Sequence, residues 1–161
     1  MWEGRNRHDV YTQHGAAGQQ RCEGVPFTTD TATSVISVSA SPPLLAFSLP
    51  ESSSLWPAIR DEGALAVNFL TADQEDVSAR FSQRGIDRFA AGGWRLLATG
   101  EPVIEGAATW VRGAILQRTP AGGSYVITVK LLESSIDEIG SKHVPKSSPL
   151  IYHDRAYHRI R

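Results

Sequence analysis

Apolar and polar residues alternate most cleanly along Ser34-Val35-Ile36-Ser37-Val38-Ser39. A period of two puts Ile36 and Val38 on one face and Val35, Ser37 and Ser39 on the other, the pattern of a strand. Ser41-Pro42-Pro43 ends it, because proline cannot donate to a ladder. Leu44 to Leu49 reads as a second, mostly apolar strand, and Ala64 to Leu70 as a third with Leu65, Val67 and Phe69 on one face and Asn68 on the other. Between them, Pro50-Glu51-Ser52-Ser53-Ser54 is a turn into a helix that has Pro57 in its first turn, Leu55 and Ile59 one turn apart, and Gly63 as its stop. Thr71-Ala72-Asp73-Gln74 has the capping-box pattern and predicts a second helix carrying Val77 and Phe81, stopped at Gly85.

Further on, Trp110 to Leu116 and Tyr125 to Leu131 predict two longer strands joined by Pro120-Ala121-Gly122-Gly123. Leu150 to Ile160 predicts a final hairpin turning near Asp154-Arg155-Ala156. Residues 1–24 lack apolar periodicity apart from His8 to Thr12, and read as a divergent or mobile N-terminal segment ahead of one domain over 25–161. Short strands broken by turns, with two or three short helices between them, predict a mainly β fold with an antiparallel barrel.

Composition narrows the function classes. With 161 residues there is room for one core, and a formal charge of −1 argues against a nucleic-acid binder, which needs a basic surface. The lone Cys22 excludes an intramolecular disulfide and fits a reducing cytoplasm. No apolar run approaches the length of a membrane span, and the N-terminus is too polar for a secretory signal. No phosphate-binding glycine loop, Rossmann fingerprint, nucleophile elbow or His-Glu-x-x-His pair is present. His153 and His158 have opposite parity on a continuous strand, and only a hairpin between them would bring them together.

The remaining chemistry is hydroxylic. Thr28, Thr29, Thr31, Thr33, Ser34, Ser37 and Ser39 are followed by Ser52, Ser53 and Ser54. Hydroxyls with free backbone N–H groups at a helix start suit an anion such as a phosphate. The competing account is that these residues fill turns and caps, with Ser54 capping its helix. The four tryptophans offer rings for stacking, although Trp94 and Trp110 are expected in the core.

Taken in order, Thr31-Ala32-Thr33-Ser34-x-x-Ser37-Val38-Ser39-x-x-Pro42-Pro43-Leu44 resembles the central motif of the flavin reductase family, which includes the reductase components of two-component flavin monooxygenases. Ser52 to Arg60 is similar to the family's serine-rich helix start. Ala66-Val67-Asn68-Phe69-Leu70, Asp73-Gln74-Glu75, Asp87-Arg88-Phe89-Ala90, Pro102 to Ala107 and Pro149-Leu150-Ile151-Tyr152-His153 follow in family order. The match runs from about Thr31 to Arg161.

The resemblance implies an antiparallel split β-barrel of Greek-key type, a homodimer with one FMN or FAD per subunit near the interface, NADH or NADPH as hydride donor, and a flavin-dependent monooxygenase as partner. Flavin contacts map onto Thr31, Ala32, Thr33, Ser34, Ser37, Val38, Ser39, Ser53 and Ser54, with Arg88 and Phe89 added. No catalytic acid or base is implied, because the flavin carries the chemistry and the protein orients the rings. Two departures stand out. Many relatives carry Gly-Asp-His before their last long strand, and that histidine is associated with the nicotinamide nucleotide. This chain has Gly122-Gly123-Ser124, leaving Ser124, Tyr152 and His153 as candidates for that contact. The N-terminal strand of the family is matched here only by Val10-Tyr11-Thr12. A flavin-binding split barrel without reductase activity, as a tight-flavin enzyme or a non-enzymatic binder, is the alternative implied.

Overall fold

A computed structural model describes residues 7–8, 10–13, 29–32, 35–83, 85–136, 148–153 and 156–158, with the backbone alone for those up to residue 32 and for His153. The strands are β1 (Arg7–His8), β2 (Val10–Gln13), β3 (Thr29–Ala32), β4 (Val35–Ala40), β5 (Pro43–Pro50), β6 (Ala64–Phe69), β7 (Trp94–Leu96), β8 (Pro102–Ile104), β9 (Thr109–Ala121), β10 (Ser124–Ser134), β11 (Ile151–His153) and β12 (Ala156–His158). Helices α1 (Trp56–Asp61) and α2 (Glu75–Ser82) follow β5 and β6.

Seven strands form one antiparallel sheet in the order β3-β2-β6-β9-β10-β5-β4. Its terminal strands, β3 and β4, are not hydrogen-bonded to each other, so the barrel is split rather than closed. The central strand β6 is buried on both faces, so Asn68 is as buried as Leu65 and Val67. Its amide oxygen accepts the Ile104 N–H at 2.9 Å, which satisfies a polar group that burial would otherwise penalise.

The barrel interior is filled by Leu45, Phe47 and Leu49 of β5, Leu65 and Val67 of β6, Val111 of β9, and Ile127 and Val129 of β10. These are the alternate residues of each strand, as a one-sided core demands. Leu55 and Ile59, both fully buried, plug α1 against this core, and the Ile59 N–H reaches the Leu55 carbonyl at 2.9 Å. A second cluster (Leu70, Phe81, Phe89, Ile104, Leu150) lies under α2 and the C-terminal hairpin.

Several local expectations are corrected. Helix α1 leaves through extended Glu62 (φ −97°, ψ 154°), not through a left-handed glycine at Gly63. The capping box forms only in part: the Gln74 side chain accepts the Thr71 N–H at 3.1 Å, but α2 starts after Gln74 and has no side-chain cap. Both long strands run further than their apolar stretches. The turn between them uses Gly122 at φ +64°, which glycine adopts without steric cost. In the C-terminal hairpin His153 pairs with Ala156 and His158 with Ile151, so the two histidines stand at opposite ends of it. In agreement with the sequence, the one stretch of the N-terminal segment with strand character, His8 to Thr12, overlaps Val10–Gln13, a sheet strand between β3 and β6.

Candidate functional site

The alternation along β4 decides which of its residues face inward. Val35 pairs with Phe47 and Ser37 with Leu45, both partners being core residues. The register then slips between Ser37 and Ser39, a bulge that keeps Ser39 on the inner side as well. Val35, Ser37 and Ser39 accordingly line a cavity of about 710 Å³ at one pole of the barrel. Its other walls include Leu44 and Leu45 of β5, Phe69 of β6, Thr109 and Val111 of β9, Leu131 of β10 and Pro149. The lining is apolar apart from the hydroxyls of Ser37, Ser39 and Thr109. Apolar walls with a few hydroxyls fit a planar heteroaromatic ring, whose faces want dispersion contact and whose edge wants hydrogen bonds.

Val38 points away from this cavity. It is 52% exposed and Ile36 is 59% exposed, on the outer face of a terminal strand. Thr31 and Ala32 belong to β3, and register carries Ala32 through Val10 to Phe69, a cavity residue. The candidates Thr33 and Ser34 lie outside the described residues.

The second serine cluster lies towards the opposite pole. Ser53 is buried and its Oγ accepts the Leu55 N–H at 3.0 Å, while Ser54 is exposed. The helix cap is Leu55, without a side-chain bond, so Ser54 does not cap α1. The N–H groups of Glu51 and Ser53 go to the Gly123 and Pro50 carbonyls. Those of Ser52 and Ser54 have no acceptor among the described residues, which leaves two donors and an exposed hydroxyl on this loop. Such a set fits an anion. From Leu45, opposite Ser37, to Pro50 the chain advances five residues, roughly 17 Å at the usual strand rise. One elongated ligand with a ring at the cavity and a phosphate towards the serine loop matches that separation in kind.

Arg88 and Phe89 are placed elsewhere. Phe89 is 8% exposed in the second core, edge-on to Phe81 and Trp94 at 5.3 and 5.0 Å. Arg88 Nε donates to the Gln83 carbonyl at 2.7 Å. Trp94 and Trp110 are packed in the second and third clusters, as expected of them.

The three residues considered for the nicotinamide nucleotide are split. Ser124 pairs with Ala121 and Pro50 at the hairpin pole. Tyr152 and His153 belong to β11, which follows the Thr71–Pro149 bridge beside the cavity pole. The 13 residues of β9 separate these places, roughly 40 Å along the strand, so one protomer does not bring them together. Tyr152 packs against Tyr157 at 4.9 Å.

Sequence reasoning missed a feature of the outer barrel wall. Glu101 is buried before β8, where its carboxylate accepts bonds from Arg112 Nε at 2.8 Å and from the Thr99 hydroxyl. Burial opposes its ionised form, but hydrogen bonds from Thr99, the backbone and Arg112, with the Arg112 charge, hold its pKa below the ordinary glutamate value. The pair fixes the turn before β8 to β9 and has no reach into the cavity lining. No sequence spacing signals it, because the partners are eleven residues apart, one in the turn before β8 and the other on β9.

Comparison with known proteins agrees with this geometry. Residues 14–161 match the model of the flavin reductase like domain. The FMN reductase (NADH) RutF of Variovorax paradoxus is 38% identical over 132 residues, 81% of this chain and 69% of that protein. The reductase subunit HsaB of a flavin-dependent monooxygenase from Mycobacterium tuberculosis is 31% identical over 124 residues, 77% of this chain and 64% of that protein. Among solved structures, a flavin reductase domain protein from Arthrobacter sp. FB24 superposes with a TM-score of 0.80 at 29% identity, covering 97% of this chain and 89% of that one. A family model spanning most of the chain, a relative above 30% identity and a shared split barrel all agree: this chain belongs to the flavin reductase family.

Proposed function

We propose that this protein is an NAD(P)H:flavin oxidoreductase that reduces FMN or FAD and supplies reduced flavin to a monooxygenase. The observation that carries the reading is the core-side face of β4, where Ser37 and Ser39 line an otherwise apolar, solvent-open pocket of a barrel of the flavin reductase family. Relatives described as an NADH-dependent FMN reductase and as a monooxygenase reductase subunit support the reaction and the partner class.

The flavin is held by residues of Thr31 to Ser39 at its ring and by Ser53 and Ser54 at its phosphate. Bound there, the flavin would supply the hydride-accepting chemistry, with the nicotinamide nucleotide as donor. The chain's own residues do three things. The apolar walls from Leu45, Phe69, Val111 and Leu131 keep water from the ring. The hydroxyls of Ser37 and Ser39 fix the ring's edge, and the loop at Ser52 to Ser54 fixes the phosphate with N–H donors. Holding two rings in van der Waals contact is the main demand of hydride transfer, so no side-chain acid or base is needed.

The working form is a cytoplasmic homodimer. Terminal strand β4 carries Ile36 and Val38 outward, and an exposed edge with β-branched residues is a surface that a second copy covers. Sedimentation of wild type gives a dimer at micromolar concentration, and Val38→Lys shifts it to monomer.

The functional test is the visible spectrum of the protein with FMN, followed anaerobically after NADH or NADPH. Bleaching of the flavin band at a rate far above that of free flavin supports the reading. Saturable flavin binding with no bleaching by either nucleotide leaves a flavin binder and sinks the reductase assignment.

A further inference from the structure

Trp56 opens α1 two residues after Ser54 and stacks on Tyr125 with ring centroids 3.7 Å apart and planes at 13°. Both rings rest on the barrel core, yet both are only half-buried. Their polar tips differ from those of Trp94 and Tyr157. Trp94 Nε1 donates to the Phe89 carbonyl at 3.0 Å, and the Tyr157 hydroxyl donates to Ser78 Oγ at 2.7 Å. Trp56 Nε1–H and the Tyr125 hydroxyl have no hydrogen-bond partner among the described residues, and neither is sealed from solvent. A tryptophan wholly committed to a core finds a partner for its N–H.

The surroundings are rigid. Arg118 on β9 donates from Nε to the Ile59 carbonyl at 2.7 Å and from a terminal nitrogen to the Glu62 carbonyl, which clamps the C-terminal end of α1 to the barrel. At the other side, the Glu51 N–H bond to Gly123 ties the serine loop to the hairpin turn that leads into Tyr125. A flat, half-buried aromatic pair is therefore held at a fixed place next to the loop that carries the Ser52 and Ser54 N–H groups.

We infer that the Trp56–Tyr125 stack is a platform for an adenine ring, which reaches it from a dinucleotide whose phosphate lies on the Ser52–Ser54 loop. This rests on the flavin reading of that loop and extends it. FMN ends at its phosphate, whereas FAD continues through a second phosphate and ribose to adenine, and NAD(P)H carries an adenine of its own. Stacking a base on an aromatic side chain is tolerant of hydrogen-bonding edge, which suits a platform with no polar partner aimed at it. The platform gives the chain a preference for adenine dinucleotides that the cavity at the other pole does not supply.

The experiment compares FMN and FAD affinities of wild type, Trp56→Leu and Trp56→Phe, with steady-state NADH kinetics using FMN as acceptor. If the adenine comes from FAD, Trp56→Leu lowers the preference for FAD over FMN tenfold or more, and Trp56→Phe restores most of it. If it comes from the nicotinamide nucleotide, Trp56→Leu raises the KM for NADH fivefold or more with kcat within twofold, and Trp56→Phe again rescues. A merely structural role moves FMN and FAD equally and leaves the NADH KM alone, which overturns the inference while the flavin reading stands. Wild type that binds neither flavin overturns both. Should Trp56→Leu fail to fold, adenosine on wild type decides. Adenosine has a base but no phosphate, so at millimolar concentration it weakens FAD or raises the NADH KM without touching FMN. No effect on either one refutes the platform.

Discussion

At the pole formed by Pro50, Gly122 and Ser124 the barrel is closed by side chains, whereas at the pole formed by Ala40, Phe69 and Pro149 it holds a cavity of about 710 Å³. The strands are the same ones at both poles, and so is the inward period of two. What differs is the insertion between strands. After β5 the chain adds α1, whose Leu55 and Ile59 are driven fully into the core and whose C-terminal end is clamped by Arg118. At the cavity pole β4 and β5 join through a tight turn with a cis Ser41–Pro42 peptide, and nothing of that turn enters the barrel. The end without a plug is thus the one that leaves a pocket, and polar residues on the core-side face are tolerated there because it is open to water.

Substitutions separate the two regimes. The largest effect is expected in the filled interior: Ile127→Ala, at a fully buried position, costs about 4 kcal/mol in urea unfolding, from lost transfer energy plus a void that cannot collapse. Arg112→Met comes next. It strands the Glu101 carboxylate, 5% exposed, and costs about 3 kcal/mol at neutral pH. The sign with pH follows from the depressed pKa. The pair's contribution is full above the unfolded glutamate pKa of about 4.3 and is lost as pH falls through the lower folded value. The gap between wild type and Arg112→Met therefore narrows in acid melts below about pH 4. A gap that does not change with pH means the arginine acts by packing alone.

Adding bulk tests the comparison most directly. Gly113 sits on β9 where a β10 bulge brings the chains close, and a Cβ there would lie 2.7 Å from the Lys130 carbonyl oxygen and closer still to Val129. Gly113→Ala is expected to cost about 2 kcal/mol by overpacking. Leu131→Phe adds more atoms two residues from Val129, but into the cavity wall, and is expected to change stability by less than about 1 kcal/mol. Its effect appears in flavin titration, as a rise in the FMN dissociation constant of about tenfold, equivalent to 1.4 kcal/mol. If Leu131→Phe destabilises as much as Gly113→Ala with no change in flavin affinity, the two poles do not differ in the way described.

Much of this was legible in the residues. Period two along Val35–Ser39, the proline stop after Ala40, Leu55 and Ile59 one turn apart, and the glycine turn before Ser124 all act within a few residues, where backbone sterics and alternation decide the outcome. The ordered hydroxyl motifs matched the family for a similar reason, since they are short strings whose order is read along the chain without the fold.

What pattern could not reach is set by partners distant along the chain. Alternation divided β4 into two faces but did not say which was interior. That was decided by pairing with Phe47 and Leu45, which turned the serines in and left Ile36 and Val38 out. Tyr152 and His153 were grouped with Ser124 by their rings, yet β9 holds them at the far pole, because a long strand converts sequence neighbours of its two ends into distant places. Phe89 resembled a cofactor contact and is a core residue, because α2 and the C-terminal hairpin converge on it. By itself the sequence determined the local elements and the chemistry on offer. The tertiary structure decided which face of each element met the core, because burial depends on what lies across the sheet and not on what lies next along the chain.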